Sequence, residues 1–358
     1  MSKAQGRRQS AAKRVKIHML RILRVFLVTL LAVLVFLLGV VYLLSRGPSE
    51  TARDLFVRSV RETSAIGFLS ELFLTPEELD EIINAGGEEL LDETDTSLVE
   101  IARPAPQDEP MADEWGYMDE DGDGLILVPI KGAGYIGYML IVLDPSRVVV
   151  GCDPSTFGHR GYTVAEYVEK FDAVAGINGG GFDDPGGNGN GSIPDTPIVT
   201  GGQIYFENYS VGKGYVGIDD EYKLHVGFRS VDDIRNWNIQ EGAGFAPGPV
   251  LVINGEMAPE ETLASGLNPR TAIGQRSDGA MLLMVIEGRQ PSRLGATYQE
   301  EAEIMLRFGA VNACNMDGGS SSMMWLNGEY INNTASVVGI RALPTSFVVL
   351  KEGRQDNG

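Results

Sequence analysis

The chain begins with one long apolar stretch and continues in many short ones, and the two textures predict different surroundings. From Val25 to Leu44 twenty residues pass without a charge, about the ~20 that a helix needs to cross a bilayer. Lys3, Arg7, Arg8, Lys13, Arg14, Lys16, Arg21 and Arg24 precede it. The positive-inside rule therefore puts the N-terminus in the cytoplasm and everything after Arg46 outside. A cleaved signal peptide has a shorter apolar core and small residues at its cleavage site. The flank Leu44-Ser45-Arg46-Gly47-Pro48 lacks that pattern, so the segment reads as an uncleaved anchor.

Past the anchor, Ser49 to about Asn84 has a helical texture. Thr75-Pro76-Glu77-Glu78 is a compact start signal, with an N-cap threonine, proline at the first helical position and a capping-box glutamate. Glu88 to Glu114 is acidic and carries Pro104, Pro106 and Pro110, which reads as a linker that spaces the rest from the membrane. From Leu125 onward the runs are short and β-like: Leu125-Ile130, Tyr138-Leu143, Arg147-Gly151, Ala173-Asn178, Gln203-Phe206, Tyr215-Ile218, Lys223-Val226, Pro249-Ile253, Thr271-Gln275, Met281-Glu287, Ala310-Cys314 and Met323-Leu326. Helices are expected at Val164-Phe171 and, behind the capping box Thr297-x-x-Glu300, as far as Phe308. Strands outnumber helices without alternating with them, which favours an α+β fold with a largely mixed, strand-rich sheet. The expected organisation is a basic cytoplasmic tail (1–24), a transmembrane anchor (25–44), a helical and acidic stalk (45–118) and a single strand-rich domain (119–353).

Charge narrows the partners. The whole chain carries −20, and the part beyond residue 46 holds 20 basic against 49 acidic residues. So acidic a domain is a poor nucleic-acid binder, since phosphate backbones need a basic face. The two cysteines, Cys152 and Cys314, could pair in an exported domain or remain buried thiols.

Polar residues at strand ends carry the candidate chemistry. Asn315-Met316-Asp317-Gly318-Gly319-Ser320-Ser321-Ser322 places a carboxylate, two glycines and three hydroxyls between two apolar runs, where buried polar groups must be paired or used. Asn178-Gly179-Gly180-Gly181 ends another apolar strand in the same way and opens a segment with seven glycines in thirteen residues. Two such ends suggest two walls of one pocket, with glycine backbone free to approach a ligand. Arg270 starts one strand, while Glu287 and Arg289 end the next. Paired guanidinium groups suit phosphate, although singly each is a common ion-pair residue.

Other motifs weaken on inspection. Asp119-x-Asp121-x-Asp123-Gly124 is half a calcium loop, but Ile130 stands where the bidentate glutamate belongs, so an acidic hairpin turn is preferred. Gly132-x-Gly134-x-x-Gly137 is followed by strand rather than helix and reads as a hairpin. The serines lack a histidine partner in any triad context, since only His159 and His225 follow the anchor. Zinc spacings are absent. No cofactor is called for, with a structural calcium at Asp183 and Asp184 left open.

Taken in order, Ala175-Phe182, Asn268-Gly274, Glu287-Gly288-Arg289 and Asn315-Ser321 resemble the phosphodiester glycosidase family, over roughly residues 125–351. Membrane-anchored bacterial members with an acidic stalk are the most similar, and the family often has Asp where Glu287 stands. The resemblance implies hydrolysis of the glycosidic bond of sugar-1-phosphodiesters, of the N-acetylglucosamine-1-phosphate type, in envelope glycans or exopolysaccharide. It implies Asp317, Glu287 and Arg270 as catalytic residues, with Glu287 as partner carboxylate to Asp317. Arg289 would join Arg270 on the phosphate, aided by Gly180 and Gly181 backbone donors. Asn178, Asn315, Ser320 and Ser321 would meet sugar hydroxyls around the Gly318-Gly319 turn. The alternative from another class is a noncatalytic binder or scaffold for anionic envelope glycans using the same pocket.

Overall fold

Strands buried on both faces read as unbroken apolar runs rather than alternating ones, and Met281–Ile286, with all six residues buried, is such a strand. The computed structural model describes residues 3–63, 66–84, 92–101, 113, 115–184, 189–336 and 339–353, the first thirteen of these as backbone only. The largest sheet has seven strands in the order Leu125–Lys131, Ile136–Val142, Met281–Ile286, Arg270–Arg276, Ala310–Asn315, Val250–Ile253 and Glu256–Met257. A five-stranded sheet runs Glu329–Tyr330, Met324–Leu326, Ala173–Asn178, Thr345–Leu350 and Val148–Cys152. A second runs Leu224–His225, Gly214–Asp219, Ile239–Phe245, Ile198–Thr200 and Gln203–Tyr205.

The helices are α1 (Lys3–Arg46), α2 (Glu50–Arg61), α3 (Pro76–Ile83), α4 (Val164–Lys170), α5 (Val231–Asn236) and α6 (Tyr298–Arg307). Leu140, Val150, Ile177, Val216, Ile273 and Phe347, drawn from all three sheets, share one core. α6 covers the far face of the seven-stranded sheet, where Ala302 and Met305 pack with Leu282 and Met284. α4 does the same for the first five-stranded sheet through Val164, Tyr167 and Val168. Capping boxes at Thr75, Thr163 and Thr297 start α3, α4 and α6, each reciprocally satisfying two backbone donors that a helix start leaves open.

The α+β, strand-rich architecture agrees with the sequence, but the sheets are not mixed. Every ladder among the described strands is antiparallel. Parallel pairing needs crossovers of a dozen or more residues, and many of the connections here are hairpins. Gly132-Gly137 is one of them, closing the ladder at Lys131 opposite Ile136. Asp119, Asp121 and Asp123 bring carboxylate oxygens within 4.8 Å of one another. Both Asp119 oxygens already accept backbone donors, from Gly122 at 3.0 Å and Gly124 at 2.9 Å, as a turn requires. Cys152 and Cys314 are buried free thiols.

The N-terminal part departs furthest from expectation. Over Lys16–Arg46, α1 contains an unburied 18-residue window apolar enough to cross a bilayer. The helical texture expected from Ser49 to about Asn84 is present as α2 and α3, with a 3-10 turn at Gly67–Leu72 between them. Much of the acidic linker lies outside the described residues. The described pieces of it are docked on the sheets: Thr94 Oγ1 donates to Val226 O at 2.9 Å, and Asp113 pairs with buried Arg276 at 2.6 Å.

Candidate active site

The Ala173–Asn178 and Ala310–Asn315 strands end side by side. Asn178 Nδ2 donates to Asp317 O at 2.6 Å and Asp317 N to Gly179 O at 3.3 Å. The two polar strand ends singled out from sequence therefore adjoin one another. A cavity of about 650 Å³ opens beside this junction. From the domain it is lined by Phe245, Asn268, Arg270, Arg289, Tyr298, Asp317, Gly318, Gly319, Ser320 and Arg341. From the N-terminal helices Arg58, Arg61, Glu62 and Ile83 close it.

Asp317 is the carboxylate that the strand-rich domain contributes to the cavity wall. Burial pushes its pKa up to about 6, against the lowering effect of a Ser321 hydrogen bond and of Arg341 and Arg289 nearby. Gly319, at φ +63°, lets the chain turn immediately after it. A side chain at Gly319 would come within 2.9 Å of the Arg289 guanidinium, so the glycine also gives that arginine its place. Arg289 is itself at φ +55°, and its Nε and one terminal nitrogen donate to Asn268 Oδ1 at 3.2 and 3.1 Å. Burial, reinforced by Arg270 and Arg341, lowers its pKa from the usual guanidinium value, with Glu62 and Asp317 opposing. A cation crowded by cations in this way is a ready anion site.

Arg270 lines the cavity but is already well bonded. Its Nε donates to Ala296 O at 3.0 Å, one terminal nitrogen donates to Gly266 O at 2.6 Å and pairs with Glu62 at 3.0 Å, and its plane lies 4.0 Å from the Tyr298 ring. Glu301 lies behind it with carboxyl oxygens that have no partner among the described residues, and burial pushes that group up to about 8. Glu62 is therefore the counterion of Arg270 at neutral pH.

Several sequence-predicted residues serve the scaffold instead. Asn178 Oδ1 accepts from Thr271 Oγ1 at 2.8 Å and Met323 N at 3.0 Å, which leaves it bracing three segments. Gly180 N donates to Thr345 Oγ1 at 3.0 Å and Gly181 N to Gly244 O at 2.9 Å, so neither donor is free for phosphate. Glycine is needed at both because a Cβ would lie 2.2 Å from Gly244 O at the first and 2.3 Å from Asp195 Oδ2 at the second. Asn315 is fully buried, with Nδ2 donating to Met316 O at 2.7 Å. Ser321 is buried behind the wall, whereas Ser320 stands on it and accepts from Arg341 at 3.0 Å.

Glu287 is also held elsewhere. Its carboxylate accepts from Asn333 N at 2.8 Å and pairs with Arg293 at 3.0 Å, away from the cavity wall. It ties the loop after Arg289 to the segment around Asn333. The carboxylate that does approach Asp317 is Asp195. Burial and then the Asp317 charge push its pKa up to about 7, and its Oδ1 is buried with no partner among the described residues.

Sequence reading missed Asp195, Asn268, Tyr298 and Arg341. Asp195 sits in Ile193-Pro194-Asp195-Thr196-Pro197, an acid fixed between two prolines after a glycine-rich loop, which was the one available signal. Arg341 is recognisable only through space, by its pairing with Asp184 and its donation to Ser320. That pairing, with Gly189 N donating to Asp184 at 2.9 Å, engages one of the two carboxylates considered for calcium.

An acid just past the end of a buried strand, several arginines around it and a glycine turn after it line one cavity. Residues 171–350 match the phosphodiester glycosidase family, and the chain belongs to it. The SPbeta prophage-derived uncharacterized protein YomE of Bacillus subtilis (strain 168) is 33% identical over 184 residues, covering 48% of this chain and 27% of that protein. The N-acetylglucosamine-1-phosphodiester alpha-N-acetylglucosaminidase of Bos taurus is 26% identical over 219 residues, covering 54% of this chain and 39% of the relative. This chain thus spans well under half the length of either relative. The zebrafish N-acetylglucosamine-1-phosphodiester alpha-N-acetylglucosaminidase catalytic domain, auto-inhibited by its pro-peptide, has a similar fold at a TM-score of 0.53 and 22% identity. That likeness covers 63% of this chain and 82% of the zebrafish chain.

Proposed function

We propose that this protein hydrolyses the glycosidic bond of sugar-1-phosphodiesters of the N-acetylglucosamine-1-phosphate type, in cell-envelope glycan or exopolysaccharide on the outer side of a membrane. The observation that carries the reading is Asp317, set in a cavity walled by Arg58, Arg61, Arg270, Arg289 and Arg341 within a chain of net charge −20. Arginines gathered against so negative a background select an anion. The activity named for the bovine relative supports the choice of a sugar phosphodiester.

The chemistry follows from the substrate. A phosphodiester is an acidic leaving group and departs without needing a full proton, so stabilising its charge matters most. Arg289, without a carboxylate at ion-pair distance among the described residues, supplies most of that stabilisation, while Arg341 and Arg270, paired with Asp184 and Glu62, add hydrogen-bond donors at the wall. Asp317 acts at the anomeric carbon, as the base toward water or as the nucleophile. Asp195 is the neighbouring carboxyl that holds a proton near neutrality and keeps a second full negative charge away from Asp317. α1 anchors the protein, with the basic residues before it on the cytoplasmic side.

Incubating the full-length protein in detergent with a sugar-1-phosphodiester tests this reading. Release of free sugar together with a phosphomonoester is expected. Saturable binding without turnover would instead make the protein a binder of anionic glycans, and release of sugar-1-phosphate would place cleavage at the P–O bond.

A further inference from the structure

Part of the cavity wall comes from a segment that looks like a stalk in sequence. Glu62, just past the last turn of α2, accepts from Gly266 N at 2.8 Å and Asn268 Nδ2 at 2.7 Å, and pairs with Arg270 at 3.0 Å. Its own carbonyl accepts from Arg289 at 3.2 Å. Ser59 Oγ accepts from Leu267 N at 2.9 Å, and a Cβ at Gly266 would lie 2.2 Å from Ser59 N. The helix and the loop before the Arg270 strand are therefore fitted backbone to backbone, as in a permanent interface rather than a passing contact.

The charges on this wall are not equally satisfied. Arg270 has Glu62, Arg341 has Asp184 and Arg61 has Glu71. Among the described residues Arg58 and Arg289 have no carboxylate within ion-pair distance, and both line the cavity. Arg58 donates, among the described residues, to carbonyl oxygens alone, those of Ile82 and Ala264. Two cations held by neutral acceptors leave room for two negative charges, and a single phosphodiester brings one.

We propose that Arg58 of α2 forms a second anion subsite beside Arg289, so that the preferred substrate is a sugar diphosphate ester, a sugar linked through two consecutive phosphates to its aglycone. This rests on the reading of the cavity as a sugar-1-phosphodiester site. Arg289, next to the Asp317 turn, takes the phosphate bonded to the sugar, and Arg58 takes the one beyond it. Arg58 is then a specificity residue, and Glu62 is a positioning residue for Arg270, Asn268 and Arg289. Bond cleavage is unchanged: the anomeric C–O bond breaks, water supplies the new oxygen, and the electron pair leaves on the diphosphate.

The test compares kcat/KM for a sugar diphosphate ester and for a sugar-1-phosphodiester with the same sugar, in the full-length protein and in Arg58→Gln and Arg58→Lys. The wild type should favour the diphosphate ester. Arg58→Gln should lower kcat/KM for that substrate about tenfold more than for the single phosphodiester, the scale of one lost charge-assisted hydrogen bond. Arg58→Lys should recover much of the difference at an unchanged melting temperature. Equal losses on both substrates, no loss on either, or a rise in turnover when Arg58 is removed would overturn the proposal. A rise would show that α2 obstructs the site instead of completing it. Titration of the same proteins with inorganic pyrophosphate and inorganic phosphate separates the two readings: Arg58-dependent preference for pyrophosphate without sugar release would uphold the subsite and refute the hydrolase. Turnover without that preference would do the reverse.

Discussion

The two polar strand ends at the heart of this domain look alike in sequence and do different work. Asn178-Gly179-Gly180-Gly181 and Asn315-Met316-Asp317-Gly318-Gly319 each close a buried strand with an asparagine and glycines. At the first, the asparagine side chain and the backbone donors of Gly180 and Gly181 are all engaged within the protein. At the second, Asp317, Gly318, Gly319 and Ser320 face the cavity. One end is a brace and the other faces the cavity. Glycine identifies a close approach of backbone, but it does not say whether a ligand or another strand makes that approach.

Substitutions can break or sharpen that contrast. The largest effect belongs to the cavity end. Asp317→Asn should reduce kcat/KM by about a hundredfold to ten-thousandfold, the range for losing an acid–base group, with a melting temperature close to the parent's. The bracing end should respond in stability instead. Gly180→Ala drives a Cβ to 2.2 Å from Gly244 O and should cost about 1–3 kcal/mol as overpacking does, measured by denaturant unfolding. A fully stable Gly180→Ala that loses activity would move Gly180 to the ligand side.

Glu287→Gln sharpens the contrast between the two acids near Asp317 in the sequence-based account and in the fold. It weakens the ties to Arg293 and Asn333 and should cost about 1–3 kcal/mol, while kcat/KM falls less than about tenfold. A loss of a hundredfold or more in a stable protein would make Glu287 the partner carboxylate after all.

The smallest effects are in the pH profile. With Asp317 raised to about 6, kcat/KM should climb as pH rises to about 6 and then level, because the ionised form is the active one. Asp195, raised to about 7, still holds its proton where Asp317 titrates, so Asp195→Asn should leave that limb nearly in place, and a shift of about one unit would show that Asp195 is ionised there. Stability should change in the opposite sense. Asp195, near 7 when folded, has an unfolded value of about 3.9, so the folded state binds more protons between the two. Stability therefore falls as pH rises across that window, and Asp195→Asn should flatten the decline.

Much of this fold was legible in the sequence because buried strands and capping boxes are local signals. The Met281–Ile286 run and the Thr297 capping box are recognisable within a few residues of chain. Ile239–Phe245 was not, since two glycines and a glutamate interrupt its apolar character, and Thr345–Leu350 was passed over near the C-terminus. The acid of the site was legible at Asp317, where a carboxylate ends a core strand. Its surroundings were not, because Asp195, Arg341 and Glu62 reach it from 122 residues before, 24 after and 255 before in the chain, and nothing local marks them. Glu287 shows the complementary case, a polar residue at a strand end whose partners, Arg293 and Asn333, lie in other segments that nothing local in the sequence marks.

The central claim concerns which bond is cleaved beside Asp317. Hydrolysis of a sugar-1-phosphodiester in water carrying heavy oxygen tests it most directly, with mass spectrometry of the phosphate product. The account predicts a phosphate product free of the label, because water enters at the anomeric carbon and the phosphate keeps its original oxygen. Heavy oxygen in the phosphate product would contradict it, since water would then have attacked phosphorus.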